Sequence, residues 1–290
     1  MKQSRAALAT LFAGAAAIAS SALWVKVSEA GPVSTGFWRV FLALPVLWAW
    51  AAYDARRYPR ATSAADLRLM ALAGFFFAGD LAVWHWSILL TTVANATLFA
   101  NCAPIFVTLA AWLFFRDPPS RRFLVGLVAA VTGMFMLLHG DFHTSGRALL
   151  GDVLGIVTAV FYAGYQMTVS RARDTVSTGR LMAVSGTVSA IILLPIALVS
   201  GEQFLPVTTT GWLLLVGLAL TSQVAGQSLI AYALAHLPGT FASVALLVQA
   251  VIAAALAWLL LGETLTPLAM IGGALVLLGI RIAHTAERAP

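Results

Sequence analysis

The chain has 290 residues, of which 61% are hydrophobic and 10% charged, with a formal net charge of +6. Its mean hydropathy of +0.92 leaves too little polar surface to coat a water-soluble globule of this size. That excludes a soluble fold, and the single Cys102 excludes a disulfide framework and a thiolate metal site.

An apolar run of roughly 20 residues spans hydrocarbon as a helix. Ten such runs follow one another, at 7–29, 33–53, 67–90, 93–115, 121–139, 150–170, 179–200, 210–235, 239–261 and 267–284. The first follows Lys2 and Arg5 and ends in small residues, so taken alone it also fits a cleavable secretory signal. The second run carries Arg39, and the third carries Asp80, Trp84 and His85. The fourth holds Asn95, Asn101 and Pro104 and is followed by Asp117-Pro118-Pro119, where the helical ladder cannot continue. Gly126 and Gly133 punctuate the fifth. The sixth has a small-residue ridge, Gly151-Gly155-Ala159-Ala163, together with Tyr162, Tyr165 and Gln166. Gln223 and Gln227 lie in the eighth, Gln249 in the ninth, and Glu263 stands before the tenth, which contains Gly272 and Gly279.

With ten spans, alternate loops share a side of the membrane. One set of loops holds 14 of the 17 basic residues, which by the positive-inside rule puts both termini in the cytoplasm of a multi-pass protein of the plasma (inner) membrane. The positive charge is then an orientation signal and calls for no nucleic-acid partner.

An ungapped shift of 146 residues pairs Trp112 with Trp258, Asp117 with Glu263, Gly126 with Gly272 and Gly133 with Gly279. Such spacing of unlike residue types indicates a duplication, with modules at 1–145 and 146–290. Five spans per module is an odd number, so the second copy enters the membrane inverted. The first run must then be retained to match the sixth. The expected fold is an all-α integral membrane protein of ten transmembrane helices in two inverted five-helix repeats.

The blocks from Tyr232 to Gly279 and from Ala103 to Asp117 resemble the paired modules of the EamA family in the drug/metabolite transporter superfamily. Within it the chain is similar to the YddG-type amino-acid exporters. The resemblance implies a secondary transporter that moves amino acids, aromatic ones among them, or related metabolites outward by alternating access. It also matches Arg39 to an Arg common in the family's second span, and Pro104 to the family's mid-helix Pro. The chain departs from that pattern at Ala250, which stands where the second copy would repeat Pro104, and at Asp117, where the usual acid is Glu.

Polar groups inside spans are costly unless they face partners or a cavity. Asp80 lies deepest of the acids; an ion pair with Arg39, a bond to backbone, and a proton-titrating or ammonium-binding role all fit it. Trp84 is one turn from Asp80 and shares its face, whereas His85 is rotated by about 100°. Asn101, Tyr162, Tyr165, Gln166, Gln223 and Gln227 complete a candidate substrate-binding set, against the simpler reading of each as interhelical glue. Arg39, Pro104, Asp117 and Glu263 form a candidate structural and gating set. The two acids also suit the N-terminal ends of the helices that follow, where Ser120 and Thr266 are natural caps. Trp48, Trp50, Trp86, Trp112, Trp212 and Trp258 are expected at the membrane interfaces.

No H-E-x-x-H, G-x-S-x-G, P-loop or G-x-G-x-x-G pattern occurs. An enzyme is therefore not expected, nor is a cofactor or metal, although His139 and His143 flank Asp141 in one loop. The expected partners are a small-molecule substrate and the lipid bilayer. Against the carrier stands a channel-like or structural membrane protein.

Overall fold

The computed structural model describes residues 2–57, 59–138, 146–262 and 264–286. Among them are ten helices long and apolar enough to cross a membrane: Arg5–Lys26, Pro32–Arg57, Ala64–Leu90, Ala94–Phe115, Arg121–Leu138, Gly146–Ala172, Thr178–Val199, Thr209–Leu234, Gly239–Leu260 and Pro267–Ala286. They match the ten expected runs to within a few residues, since helix caps and prolines set their ends. Ser63 starts the third span with a reciprocal capping box to Asp66. Ser120 and Thr266 cap the fifth and tenth spans, accepting from the Phe123 and Ala269 N–H groups at 3.1 Å. Asp117 is exposed beside the first of these caps, whereas Glu263, His139, Asp141 and His143 lie outside the described residues.

The repeat is visible in the backbone. The fourth span breaks between Val93–Ala100 and Ala103–Phe115, and the ninth between Gly239–Ala245 and Val248–Leu261. These breaks agree to within one residue under the 146-residue shift, although only the first is followed by a proline. Further along, Arg116 and Gly262 end the equivalent helices in the left-handed region, with φ of 54° and 68°. Glycine suits that conformation, whereas arginine tolerates it at a cost.

The fifth and tenth spans meet backbone to backbone. A methyl group on Gly133 would lie 2.6 Å from the Gly272 carbonyl oxygen, and one on Gly279 would lie 2.6 Å from that of Gly126. The order along one helix reverses along the other, so the two run antiparallel. Exchanging the copies converts one contact into the other, as an inverted two-fold axis requires. The other packings follow suit: the third span lies on the sixth as the eighth lies on the first, and the second pairs with the seventh. The ridge on the sixth span serves this packing, with Gly151 against Thr91 and Gly155 against Phe99.

Loops clasp at each end. At one end Glu29 accepts from the Val207 and Thr208 N–H groups at 2.8 and 2.9 Å and from the Thr208 hydroxyl. There Glu202 also accepts from the Val33 N–H at 2.9 Å, and Trp38 Nε1 donates to the Phe204 carbonyl at 2.8 Å. At the opposite end Thr175 Oγ1 donates to Asp66 at 2.6 Å and Arg180 Nη1 donates to the Arg60 carbonyl at 3.3 Å. Of the tryptophans expected at the interfaces, Trp48, Trp86, Trp112 and Trp258 are exposed. Trp212 instead meets Trp38 edge-on at 4.9 Å, and Trp50 packs on Gly179. Both are half-buried, Trp212 beside the second span and Trp50 on the seventh.

Two stability outcomes are expected. Gly272→Ala should cost about 1–3 kcal/mol by overpacking against backbone that has no room to give. Gly273→Ala, whose methyl would sit 3.7 Å from Val251, should be neutral or slightly stabilising; thermal denaturation in detergent compares the two. The donors around Glu29, the Thr208 hydroxyl foremost, hold its carboxyl below the ordinary 4.5. A depressed folded-state value contributes stability above the unfolded value, and that contribution is lost as the pH falls through the folded one. The melting temperature of wild type should therefore drop more steeply on acidification through that range than that of Glu29→Gln.

Candidate functional site

Arg39 sits on the half-helix Pro32–Phe41, 9% exposed, and its Nε finds no hydrogen-bond partner. Its guanidinium carbon lies 5.8 Å from the Phe77 ring centroid, at the outer reach of a cation–π contact. Asp80, Tyr162, Tyr165 and His85 all lie within its electrostatic range. The second, third and sixth spans thus converge on one buried charge.

Asp80 and Tyr162 are half-buried, so each keeps part of its surface accessible. No hydrogen bond or close ion pair holds the Asp80 carboxylate among the described residues, and Arg39 acts on it through space. The expected Arg39–Asp80 contact is therefore an electrostatic neighbourhood without a bonded pair. Tyr162 and Tyr165 stack with ring centroids 6.3 Å apart and planes 16° apart, and Phe77 lies 4.9 Å from Tyr165. Tyr165 donates its hydroxyl hydrogen to Gln227 Oε1 at 3.3 Å, and the Tyr162 hydroxyl meets the Gln249 side chain. The eighth and ninth spans join the cluster in this way.

Two buried amides have unused bonding capacity. Gln166 is 2% exposed with neither side-chain polar atom bonded, and Gln223 is 1% exposed with its Oε1 unbonded. An unsatisfied buried amide costs about 1–3 kcal/mol. Gln223 and Gln227 lie on Ala219–Gln227, a π-helical stretch within the eighth span. Such widened turns recur at functional sites.

The remaining candidates are placed differently. His85 is buried, and its Nδ1 lies 2.5 Å from the Leu81 carbonyl of its own helix. Gly36 makes room for its ring, and Trp84 meets it edge-on at 5.0 Å. Trp84 itself is half-buried, one turn beyond Asp80. Asn101 donates to the Thr97 carbonyl at 2.8 Å within the break of the fourth span and forms no bond to the cluster. Pro104 opens the half-helix after that break.

Asp152 was not anticipated. It is 7% exposed, accepts from the Thr91 hydroxyl at 2.8 Å and from Asn95 Nδ2 at 3.4 Å, and so ties the third, fourth and sixth spans. Its closeness to the start of its span hid it, whereas the Thr91-x-x-x-Asn95 spacing was the available signal. Phe77 was likewise indistinguishable from ordinary core.

The EamA-like transporter family model matches the chain twice, over residues 5–139 and 149–285. The chain belongs to the EamA-like transporter family. An uncharacterized transporter of Archaeoglobus fulgidus is 26% identical over 90% of this chain and 91% of its own length. The pseudopaline exporter CntI of Pseudomonas aeruginosa is 25% identical over 74% of each chain. A probable terminal-alkyne amino-acid exporter of Streptantibioticus cattleyicolor is 28% identical over 79% of this chain and 75% of its own. A solved crystal structure shares the fold with a TM-score of 0.80 over 98% of this chain and 99% of that one, at 16% identity. The protein is accordingly a multi-pass membrane transporter of the drug/metabolite type, with a small molecule as its substrate.

The lone Cys102 gives a clean background for testing this difference in exposure once it is replaced by Ser. In that background, cysteine at Asp80→Cys or Tyr162→Cys should react with a small aqueous methanethiosulfonate. Tyr165→Cys and Gln166→Cys, at positions only 2% exposed, should react at least about tenfold more slowly because access limits the thiol. Mass spectrometry of the labelled protein reads the rates.

Proposed function

We propose that the protein exports amino acids or related small metabolites across the inner membrane as a secondary transporter, by alternating access. The modules at 1–145 and 146–290 rock against each other, with Asp80, Trp84, Tyr162, Tyr165, Gln166 and Gln227 around the substrate. Arg39, Pro104, Asp117 and Glu263 serve structure and gating. The observation that carries this is a buried Arg39 with its Nε unbonded, near Phe77 and within electrostatic range of the unbonded Asp80, beside stacked tyrosines at the meeting of five spans. Broken helices around a central site, in copies related by an inverted axis, are how secondary transporters expose one site to two sides. The exporter names of two relatives, one of them for an amino acid, support the direction and the substrate class. The crowding of basic residues into alternate loops supports cytoplasmic termini.

Counterflow in proteoliposomes tests the proposal. Vesicles loaded with one unlabelled amino acid at a time should take up labelled phenylalanine saturably and faster than unloaded vesicles, for a subset of the loads. Gln227→Leu should lower the exchange rate by about tenfold, since it strips the bond that holds Tyr165. Flux that rises linearly without acceleration by the load would mark a channel. Absence of exchange across the whole panel, from folded protein, would remove amino acids as the substrate.

A further inference from the structure

The proposed site contains two opposite charges that do not neutralise each other through a bond. Arg39 is buried with a free Nε donor, and Asp80 is half-buried with its carboxylate unbonded. Leaving both unpaired in a low-dielectric interior is costly, and a charge without a bonded partner there is a standing demand for one. Bound water meets that demand poorly once the site closes.

We infer that the transported molecule is a zwitterion, with its carboxylate received by Arg39 and its ammonium by Asp80, and with a neutral side chain lying against the Phe77–Tyr165–Tyr162 wall. This rests on the transport function proposed above and specifies what that site selects. Charge bookkeeping favours such a ligand over the alternatives. A zwitterion pairs both side chains and leaves the sum of charges unchanged. An anion pairs Arg39 only and sets its charge against Asp80, while a cation does the reverse. A neutral solute leaves both unpaired.

Hydrogen-bond chemistry agrees. The guanidinium has a planar fork suited to a carboxylate, and an acceptor-only carboxylate suits an ammonium with three donors. The rings supply an apolar face for the remainder: Tyr162 and Tyr165 stack, and Phe77 adjoins them at 4.9 Å. Among the described residues, no acidic or basic side chain other than Asp80 and His85 lies within electrostatic range of Arg39. His85 is committed to the Leu81 carbonyl. A substrate with a third charge would therefore find no counter-charge, which sets neutral amino acids above lysine-like or glutamate-like ones.

The test is competition against counterflow of labelled L-phenylalanine, using unlabelled L-phenylalanine, phenylalaninamide (ammonium without carboxylate) and 3-phenylpropionate (carboxylate without ammonium). In wild type the amino acid should compete at least about tenfold better than either half-charged analogue, because a site built for a charged partner rejects a ligand that lacks it. Arg39→Gln should bring phenylalaninamide up to the amino acid, and Asp80→Asn should do so for 3-phenylpropionate. Reciprocal relaxation of this kind is not produced by a pair that serves only packing. If the half-charged analogues compete in wild type as well as the amino acid does, the zwitterion inference is overturned while the proposed transport stands. If folded wild type exchanges no amino acid, the proposed transport falls and the inference with it. Should the variants fail to fold, the three-ligand comparison in wild type decides alone.

Discussion

A peptide group in hydrocarbon has no water to bond to, so a spanning helix can be interrupted only where other protein groups surround the interruption. The breaks in the fourth and ninth spans and the π-helical stretch in the eighth obey that constraint, since all three lie against neighbouring helices. Irregular backbone at these places is thereby surrounded by other helices. The close approach of the fifth and tenth spans is the complementary case. There, four glycines remove side chains so that regular helices touch along their backbones.

The frame is symmetric and the lining is not. Helix breaks, left-handed helix ends and glycine contacts recur at the 146-residue offset. The charged and phenolic groups do not: Arg39 corresponds to Ser185, Asp80 to Gly226 and Tyr162 to Ala16. In the proposed transport cycle, repetition of the backbone supplies two related packings, because contacts available to one copy are available to the other, and divergence of the polar side chains gives the proposed ligand a single orientation within them. These demands separate cleanly because packing is set by small residues and backbone, whereas recognition is set by a few long polar side chains.

Asp80 and Asp152 show how burial alone fails to identify a site. Both are acids within spans, but Asp152 accepts bonds from Thr91 and Asn95, which stabilises the junction of three helices. Asp80 keeps an unbonded carboxylate within electrostatic range of an arginine whose Nε is unbonded. His85 belongs with Asp152, since its Nδ1 is matched by its own helix. The distinction lies in whether bonding capacity remains after folding, and unused capacity is what a ligand can exploit.

Hydropathy and the turn residues determined the ten spans, and the spacing of Trp112, Asp117, Gly126 and Gly133 against their counterparts determined the inverted duplication. Both depend on periodicity and chain order, which a sequence displays directly. Ser120 and Thr266 were legible as caps for the same local reason. The tertiary structure alone decided which polar residues meet. Arg39, Asp80, Tyr162, Tyr165 and Gln227 are drawn from four spans, and helical spacing relates residues only within one span. Nor could the sequence show that Asn101 bonds within its own helix, that Gln249 reaches Tyr162, or that Trp50 and Trp212 face protein. The side that a helix turns toward its neighbours is settled when all the spans pack together.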